Sequence, residues 1–188
     1  MAVKRLIDIA GSALGLALLA PLMMVVALAV RLDSRGPALF WSQRFGRGGT
    51  LFMMPKFRTM QVDTPQLPTH LLRNSGHHLT RIGGILRKTS LDELPQLWSV
   101  LVGDMSLVGP RPALFNQHDL IEMREENGSA ALRPGITGWA QVNGRDALTL
   151  ENKVALDGEY LQRRGMLFDM KIIALTIVRV IRSESIAH

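Results

Sequence analysis

Two adjacent carboxylates, Asp92 and Glu93, are the side chains of this 188-residue sequence whose types and spacing best suit chemistry. They lie at the predicted start of a helix, where unpaired backbone amides and the helix dipole favour negative charge. Turns that contain glycine, proline and arginine flank the pair in the sequence. Carboxylates beside cationic turns indicate a site that binds a diphosphate together with a divalent metal ion.

The same two acids also have a purely structural interpretation. Ser90 and Glu93 have the Ser-x-x-Glu spacing of a capping box, in which two side chains satisfy free amides at the start of a helix. Pro95 fits this interpretation poorly, because a helix capped by Ser90 places the proline beyond the first turn. The octapeptide at 89–96 alone favours capping, and both interpretations stay open at this point.

Several short segments combine a basic residue with glycine or proline. Arginine forks match phosphate oxygens, and glycine turns let backbone amides approach them. A single arginine is more often a surface charge, so each segment is a weak signal alone. The cations are Lys56 and Arg58 in segment 55–60, Arg111 in 103–112, Arg133 in 133–138 and Arg145 in 141–145.

Hydrophobic patterns outline the elements that must position these residues. A β-hairpin is predicted at 38–60, with a glycine-rich turn and with Pro55 weakening the second strand or placing it at an edge. Residues 62–78 are predicted to form a mobile polar loop, in which His77 and His78 are interpreted as solvent-exposed and not as metal ligands. Helices are predicted at 79–88, 92–102, 115–126, 150–164 and 168–183.

An uncharged apolar run at 9–30 has Pro21 near its middle. A straight helix of this length would rise about 33 Å and could cross the hydrocarbon core of a membrane. Proline bends or breaks such a helix, which favours a re-entrant helix-break-helix whose two ends stay on one side. A plain membrane anchor and a cleaved signal peptide are the alternatives. Basic residues on both flanks favour the cytoplasmic side, namely Lys4, Arg5, Arg31 and Arg35.

Composition limits the remaining choices. About 158 residues follow the apolar run, enough for one domain with a core and too few for two. The absence of cysteine excludes a disulfide framework and thiolate metal sites. A net charge of +6 indicates an anionic partner, such as lipid head groups, nucleotide phosphates or nucleic acid. Aromatic residues make up only 5% of the chain, so a stacking platform for single strands is poorly supported.

Four motifs follow one another along the chain. They are Lys-Phe-Arg-Thr-Met at 56–60, Ser-Leu-Asp-Glu-Leu-Pro-Gln-Leu at 90–97, Gly-Asp-Met-Ser-Leu-Val-Gly-Pro-Arg-Pro at 103–112 and Arg-Pro-Gly-Ile-Thr-Gly-Trp-Ala-Gln-Val-Asn-Gly-Arg at 133–145. In order and spacing this set resembles the monotopic phosphoglycosyl transferases, the bacterial sugar transferases that initiate glycoconjugate assembly. The match runs from about Lys4 to Arg182, and the length resembles the minimal catalytic form of the family.

The resemblance implies transfer of a phospho-sugar from a UDP-sugar to polyprenyl (undecaprenyl) phosphate, with release of UMP. It also implies a Mg²⁺ ion and a covalent intermediate. Carried onto this chain, Asp92 is the nucleophile that attacks the β-phosphate and is also the expected metal ligand. Glu93 is its partner carboxylate, which orients Asp92, handles protons or helps to hold the metal.

Binding roles are carried over in the same way. Arg111, Arg133 and Arg145 match family positions near the nucleotide phosphates. Lys56 and Arg58 match a basic motif close to the membrane, which faces either the phosphate donor or the lipid acceptor. The chain departs from the family at residue 20, an alanine, since members often carry serine before the membrane proline.

The implied architecture is α+β and mainly α. Residues 1–35 are expected to form a re-entrant membrane helix broken at Pro21, and residues 36–188 a catalytic domain with a short β-hairpin and interfacial amphipathic helices. The domain is expected on the cytoplasmic face of the bacterial inner membrane. Expected partners are the UDP-sugar, polyprenyl phosphate and membrane lipid, with a homodimer as a further candidate and with no nucleic acid.

Two rival classes of protein can be set against this hypothesis. One is a membrane-anchored binding protein without chemistry, in which Asp92 and Glu93 only cap a helix. The other is a basic protein that binds nucleic acid at the membrane, with an affinity that falls steeply with salt. Neither explains the ordered set of motifs.

Overall fold

The apolar run lies within one long helix, α1 (Ala2–Asp33), in a computed structural model that describes residues 2–64, 78–144 and 147–182. Pro21 is inside this helix, which continues through it. The predicted separation into two helices at Pro21 is therefore wrong. A proline removes only one hydrogen bond, and the alanine, leucine and methionine residues around it favour the helical conformation. The re-entrant arrangement in a membrane stays a prediction.

By length and composition, α1 is the one helix in the described part of the chain that could cross a membrane. Only 11% of its most apolar window of eighteen residues is buried. The side chains around Pro21 face outward, and Leu18, for example, is 70% exposed. The middle of α1 therefore presents a large apolar surface that the other described residues do not cover.

Polar side chains fasten the first turns of α1 to residues far along the chain. The Arg5 guanidinium donates to the carbonyl oxygens of Val100 and Leu101, at 2.6 and 2.8 Å. The Asp8 carboxylate is buried and accepts a hydrogen bond from Ser106 Oγ at 3.1 Å. These bonds hold the N-terminal end of α1 against the segment around residues 100–106.

Lys4 adds an ion pair at the same end of α1. Its ammonium group lies 2.5 Å from Asp169 Oδ2 and donates to Val108 O at 3.1 Å. The Tyr160 hydroxyl donates to the other Asp169 oxygen at 2.7 Å. Burial and the neighbouring carboxylate raise the pKa of Tyr160 well above its ordinary value, so its hydroxyl stays a donor.

The opposite end of α1 packs on the same body through apolar contacts. Val30 is 1% exposed and lies in a cluster with Phe57 and Leu86. The Asp33 carboxylate accepts a hydrogen bond from the backbone amide of Ile82 at 3.3 Å. Both ends of α1 are therefore fixed to one folded unit, while its middle is exposed.

The predicted β-hairpin is confirmed. Strand β1 (Leu39–Phe45) pairs antiparallel with β2 (Leu51–Phe57), and a 3-10 turn at Arg47–Gly49 joins them. Pro55 lies opposite Trp41 in a sheet of only two strands. The proline is tolerated there because its strand has a free edge.

A short helix, α2 (Gly83–Lys88), follows the hairpin. Most of the predicted loop at 62–78, including His77, lies outside the described residues. The helix begins four residues later than predicted, because Leu79 forms a β-bridge with Met60. Leu79 is thus extended at the position where the hydrophobic pattern predicted the start of a helix.

The single helix predicted at 92–102 consists of two parts. A 3-10 turn at Leu91–Glu93 comes first, and α3 (Gln96–Val102) begins after Pro95. Proline suits this position, because it cannot donate to the preceding turn and its φ is compatible with a helix start. The two acids therefore lie before α3 and not within it.

A small parallel sheet was not predicted. Strand β3 (Ser106–Val108) pairs with β4 (Gly135–Thr137), which brings two of the motif segments side by side. A Cβ atom at Gly109 would lie 2.3 Å from the carbonyl oxygen of Arg133, so only glycine allows this approach. Each strand has three residues, too few to show an alternating pattern in the sequence.

The remaining predicted helices are confirmed with small shifts at their ends. The Thr149 side chain accepts a hydrogen bond from the Asn152 amide and caps the second of them. A buried cluster of Val108, Tyr160 and Ile172 connects the last two helices to β3. The helices are α4 (His118–Glu126), α5 (Leu150–Arg163) and α6 (Met166–Arg182).

A buried ion pair joins α4 to α5. Arg124 donates through Nε and Nη2 to Asp157 Oδ2, at 2.9 and 2.7 Å, and both side chains are almost fully buried. Burial raises the pKa of Asp157, and the Arg124 guanidinium opposes that shift. Neither charge has access to water, so each depends on the other.

We expect Asp157→Asn to lower the free energy of unfolding by about 3–5 kcal/mol, because the buried Arg124 charge loses its counterion. Equilibrium urea denaturation measures this loss. Glu159→Gln on the same helix is the matched control, since the pair of Glu159 with Arg163 is exposed and is worth about 1 kcal/mol or less. Equal losses in the two variants would contradict the special role of the buried pair.

Candidate active site

Asp92 lies in the 3-10 turn between α2 and α3 and is 7% exposed. Ser90 precedes this turn in the left-handed conformation, with φ 56° and ψ 17°. Among the described residues it is the one non-glycine with positive φ. Such a conformation costs of order 1–3 kcal/mol and is found most often at functional sites.

The structure decides between the two interpretations of Ser90 and Glu93. The Ser90 side chain makes no capping hydrogen bond, and Pro95 is the residue that precedes the first turn of α3. The capping box is therefore not formed. The Glu93 side chain contacts Lys56 and Arg111 instead.

Glu93 brings two cations together. Its Oε1 atom lies 2.8 Å from Lys56 Nζ on β2 and 3.2 Å from Arg111 Nη2 in the loop after β3. The Glu93 and Lys56 side chains are only 12% and 15% exposed, so water screens this contact weakly. One carboxylate oxygen thus connects three separate segments of the chain.

Asp92 lies in the field of the same groups. Burial raises the pKa of its carboxyl above the ordinary value, Lys56 opposes that shift, and the neighbouring Glu93 adds to it. Arg87 and Arg111 also favour the ionised form. Asp92 is therefore a poorly solvated carboxylate whose charge is stabilised by cations and not by water.

Two of these cations are themselves partly buried. Burial lowers the pKa of Lys56, and Glu93 is the main group that opposes the shift. Burial also lowers the pKa of Arg87, which Asp92 opposes, and Arg87 Nε donates to Thr59 Oγ1 at 3.0 Å. The acids and bases of this cluster depend on one another for their charged state.

Arg111 is held through its backbone by the buried ion pair. Arg124 Nη1 donates to the Arg111 carbonyl oxygen at 3.0 Å, while its other nitrogens bind Asp157. The loop that carries Arg111 is thereby attached to α4 and α5. The sequence had no signal for this support, since Arg124 and Asp157 are 33 residues apart on separate helices.

Arg58 is not brought into this cluster. Its Nε donates to Pro37 O and its Nη2 to Ser34 O, both at 2.8 Å, and the side chain is 4% exposed. These bonds fasten the segment that follows α1. Of the two basic residues predicted in the 55–60 motif, Lys56 reaches the acids and Arg58 supports the chain next to α1.

Two further predicted residues have no established contact with the acids. The backbone of Arg133 lies against Gly109, and within the described ranges no hydrogen bond or ion pair joins its side chain to another residue. Arg145 lies outside the described residues, so its predicted role near the nucleotide phosphates stays a prediction.

The sequence analysis missed two cations that the fold places here, Arg87 and Arg44. Arg111 and Glu93 both lie close enough to Arg44 on β1 to affect its pKa. Burial and the Arg111 guanidinium lower the pKa of Arg44 to about 10, and Glu93 opposes them. Its position in a strand, outside any glycine or proline turn, gave no chemical signal.

The donor set constrains any metal ion at this site. No group of three or more histidine, cysteine, aspartate or glutamate side chains is found in the part of the chain that the structure describes. Asp92 supplies carboxylate oxygens, and Glu93 Oε1 is already shared by two cations. This set fits Mg²⁺, which is commonly held by one or two carboxylates together with substrate phosphates and water.

The arrangement suits reactions of phosphate esters. Lys56, Arg87 and Arg111 can stabilise negative charge on phosphate oxygens, and the partly desolvated carboxylate of Asp92 is of a type that can serve as an oxygen nucleophile. Because these groups come from different elements and are fixed by buried contacts, their geometry is set before a ligand arrives.

Comparison with known proteins agrees with this chemistry. A relative from Komagataeibacter xylinus, named undecaprenyl-phosphate glucose phosphotransferase, is 43% identical over 197 residues, which cover 97% of this chain and 36% of that protein.

A second relative is similar over most of its own length. The UDP-glucose:undecaprenyl-phosphate glucose-1-phosphate transferase of Caulobacter vibrioides is 40% identical over 189 residues, which cover 97% of this chain and 71% of that protein. A protein of Bacillus subtilis, named as the uncharacterized sugar transferase EpsL, is 40% identical over 186 residues, which cover 99% of this chain and 91% of that protein. The chain thus spans about a third of the first relative and most of the other two.

A family model described as bacterial sugar transferase matches residues 1–183. This match includes the hairpin with Lys56, the turn with Asp92 and Glu93, and the loop with Arg111. The resemblance noted from the four motifs is therefore confirmed, and this chain belongs to the bacterial sugar transferase family.

Proposed function

We propose that this protein transfers a phospho-sugar from a UDP-sugar to undecaprenyl phosphate and releases UMP. The observation that carries the proposal is the buried Asp92 carboxylate, which lies in the field of Lys56, Arg87 and Arg111. The names of the relatives from Komagataeibacter and Caulobacter support the reaction class, since both are undecaprenyl-phosphate glucose or glucose-1-phosphate transferases.

Asp92 acts as the nucleophile in this proposal. A carboxylate oxygen forms a bond to the β-phosphorus of the donor, the bond from that phosphorus to the bridging oxygen breaks, and its electron pair leaves with UMP. An oxygen of undecaprenyl phosphate then attacks the same phosphorus and releases the Asp92 carboxylate. The surrounding cations oppose the rise in the pKa of Asp92 that burial causes, and they stabilise the charge that develops on the phosphate oxygens.

Glu93 positions the cations for this reaction. By accepting from both Lys56 and Arg111 it holds two positive groups close together that would otherwise repel each other. The rival hypothesis of a binding protein without chemistry needed Glu93 as a helix cap, and that contact is not formed.

A Mg²⁺ ion is part of the proposal. Asp92 would hold it together with oxygens of the donor diphosphate, and the ion would supply positive charge that makes the phosphorus easier to attack. The described side chains alone offer too few ligands for a permanent metal site, so donor and ion are expected to bind together.

We also propose that α1 enters the membrane from the cytoplasmic face and does not cross it. The support comes from the contacts of its two ends, since Arg5 binds Val100 and Leu101 while Val30 packs against Phe57. A span would carry Arg5 to the far side and break its two hydrogen bonds. The division into a membrane segment at 1–35 and a catalytic domain at 36–188 stays a prediction.

Exposed apolar side chains support contact with lipid. Large patches of this kind mark membrane or protein interaction sites on most proteins. The homodimer and the absence of nucleic acid among the partners stay predictions. The exposed side chains on α1, α3 and α6 include Leu14, Leu18, Met24, Leu28, Trp98, Val102, Leu167, Met170 and Ile177.

Asp92→Asn should reduce UMP release from UDP-glucose by at least about a thousandfold, because the amide is a very poor nucleophile. Intact-protein mass spectrometry with donor and Mg²⁺, but without lipid, should show one added phospho-sugar on the unmodified protein and none on the variant. Asp104→Asn, at an exposed aspartate, is the matched control and should keep both signals. An adduct on Asp92→Asn would exclude Asp92 as the nucleophile.

Removal of divalent ions should stop turnover. Treatment with EDTA is expected to abolish UMP release, and added Mg²⁺ should restore it, because the donor diphosphate needs a counter-charge beside Asp92. The readout is UMP formed per minute with undecaprenyl phosphate in detergent. Undiminished activity in excess EDTA would rule out the metal.

Cysteines introduced at Val3 and Pro37 should be labelled by an impermeant maleimide from the same side of sealed vesicles. The chain has no cysteine of its own, and both positions are exposed at opposite ends of α1. A cysteine at Asp104 marks the side of the catalytic domain. Labelling of Val3→Cys from the side opposite to Asp104→Cys would establish a membrane span.

A further inference from the structure

Arg44 is anchored in the active-site cluster without an acidic partner. Its Nε donates to Ser42 Oγ at 2.9 Å, and its Nη1 donates to the carbonyl oxygen of Pro112 at 3.2 Å. Both acceptors are neutral. Over residues 2–64, 78–144 and 147–182, no carboxylate forms an ion pair with Arg44, and no protein acceptor binds its Nη2 atom.

The surroundings of Arg44 are unfavourable for its charge. Burial is the largest cause that lowers the pKa of Arg44 to about 10, and the Arg111 guanidinium adds to it. Only Glu93 acts in the opposite direction. A buried cation beside another cation costs stability, and such a cost is typical of groups retained for ligand binding.

Among the residues that the structure describes, the charges near Arg44 do not balance. The described cluster contains four cations, Arg44, Lys56, Arg87 and Arg111, against the two carboxylates of Asp92 and Glu93. The excess of two positive charges suits a diphosphate ester, whose two phosphate groups each carry one negative charge at neutral pH. The cluster is therefore complementary to such a ligand.

The position of Arg44 relative to the two acids indicates which phosphate it meets. Arg44 donates to the carbonyl oxygen of Pro112, the residue after Arg111, and Arg111 pairs with Glu93. No hydrogen bond or ion pair among the described residues joins Arg44 to Asp92, so Arg44 enters the cluster beside Arg111 and Glu93. A donor whose β-phosphorus faces Asp92 would place its other phosphate toward Arg44.

We propose that Arg44 binds the α-phosphate of the donor, which becomes the phosphate of UMP, and that Ser42 and the Pro112 carbonyl orient its guanidinium for this contact. The inference rests on the proposed function, since it uses Asp92 as the attacking group. In this proposal Arg44 contacts the leaving group, UMP, and acts in the first half of the reaction. The lipid acceptor, which arrives after UMP has formed, does not need it.

UMP binding tests this assignment without turnover. Isothermal titration calorimetry should show Arg44→Gln binding UMP about ten- to a hundredfold more weakly than the unmodified protein, as expected for a lost bond to a charged group. Arg44→Lys should fall between the two, because it restores the charge without the planar fork. Arg47→Lys, at an exposed arginine of the same hairpin, is the matched control and should bind UMP normally.

Thermal unfolding separates ligand binding from a structural role. Without UMP, Arg44→Gln should melt at the same temperature as the unmodified protein or higher, since a buried charge beside Arg111 has been removed. Added UMP should then stabilise the unmodified protein more than the variant. A lower melting temperature without UMP, together with unchanged UMP affinity, would make Arg44 a structural residue and overturn the proposal.

The two half-reactions give the final test. Formation of the phospho-sugar adduct should slow in Arg44→Gln, while transfer from preformed adduct to undecaprenyl phosphate should keep its rate. Equal slowing of both steps would overturn the assignment to the leaving phosphate. If the unmodified protein forms no adduct with any UDP-sugar, the proposed function fails, and UMP calorimetry still decides whether Arg44 binds a nucleotide phosphate.

Discussion

The ion pairs of Glu93 are the interaction on which the candidate site depends. One carboxylate oxygen accepts from Lys56 on the hairpin and from Arg111 in the loop after β3. Without this shared acceptor, two cations in a poorly solvated region would face each other, with Arg44 close to both. The hairpin is therefore held next to the turn that carries Asp92 and Glu93 by charge pairing as well as by packing.

Local patterns and motifs predicted much of this structure. The hairpin, the helices α4 to α6 and the association of Asp92 and Glu93 with basic residues follow from periodicity, turn residues and motif order. Arg58 lies outside the cluster around Asp92, which the motif could not predict, since a motif gives residue types but not the direction of each side chain. The pairing of β3 with β4 and the place of Arg44 depend on contacts between distant segments, which no local pattern encodes.

Pro21 shows a different limit of sequence reasoning. The rule that proline breaks helices counts one lost hydrogen bond and one steric clash. In this fold α1 is also held at both ends, by Arg5 and Asp8 near its start and by Val30 near its end. These contacts fix the two ends on one body independently of what happens at the proline. The geometry of α1 is thus set by its termini more than by its middle.

The bond between Lys4 and Asp169 joins residues 165 positions apart, so the first turn of α1 gains this partner only when α6 is present. During synthesis from the N-terminus, α1 is complete long before α6 exists. Lys4 in its first turn therefore lacks its partner Asp169 while the apolar run has already been synthesised. Closure of a contact with such a long loop is slow compared with helix formation. In the membrane arrangement proposed above, insertion of α1 into the bilayer therefore precedes docking of its first turn onto the finished domain.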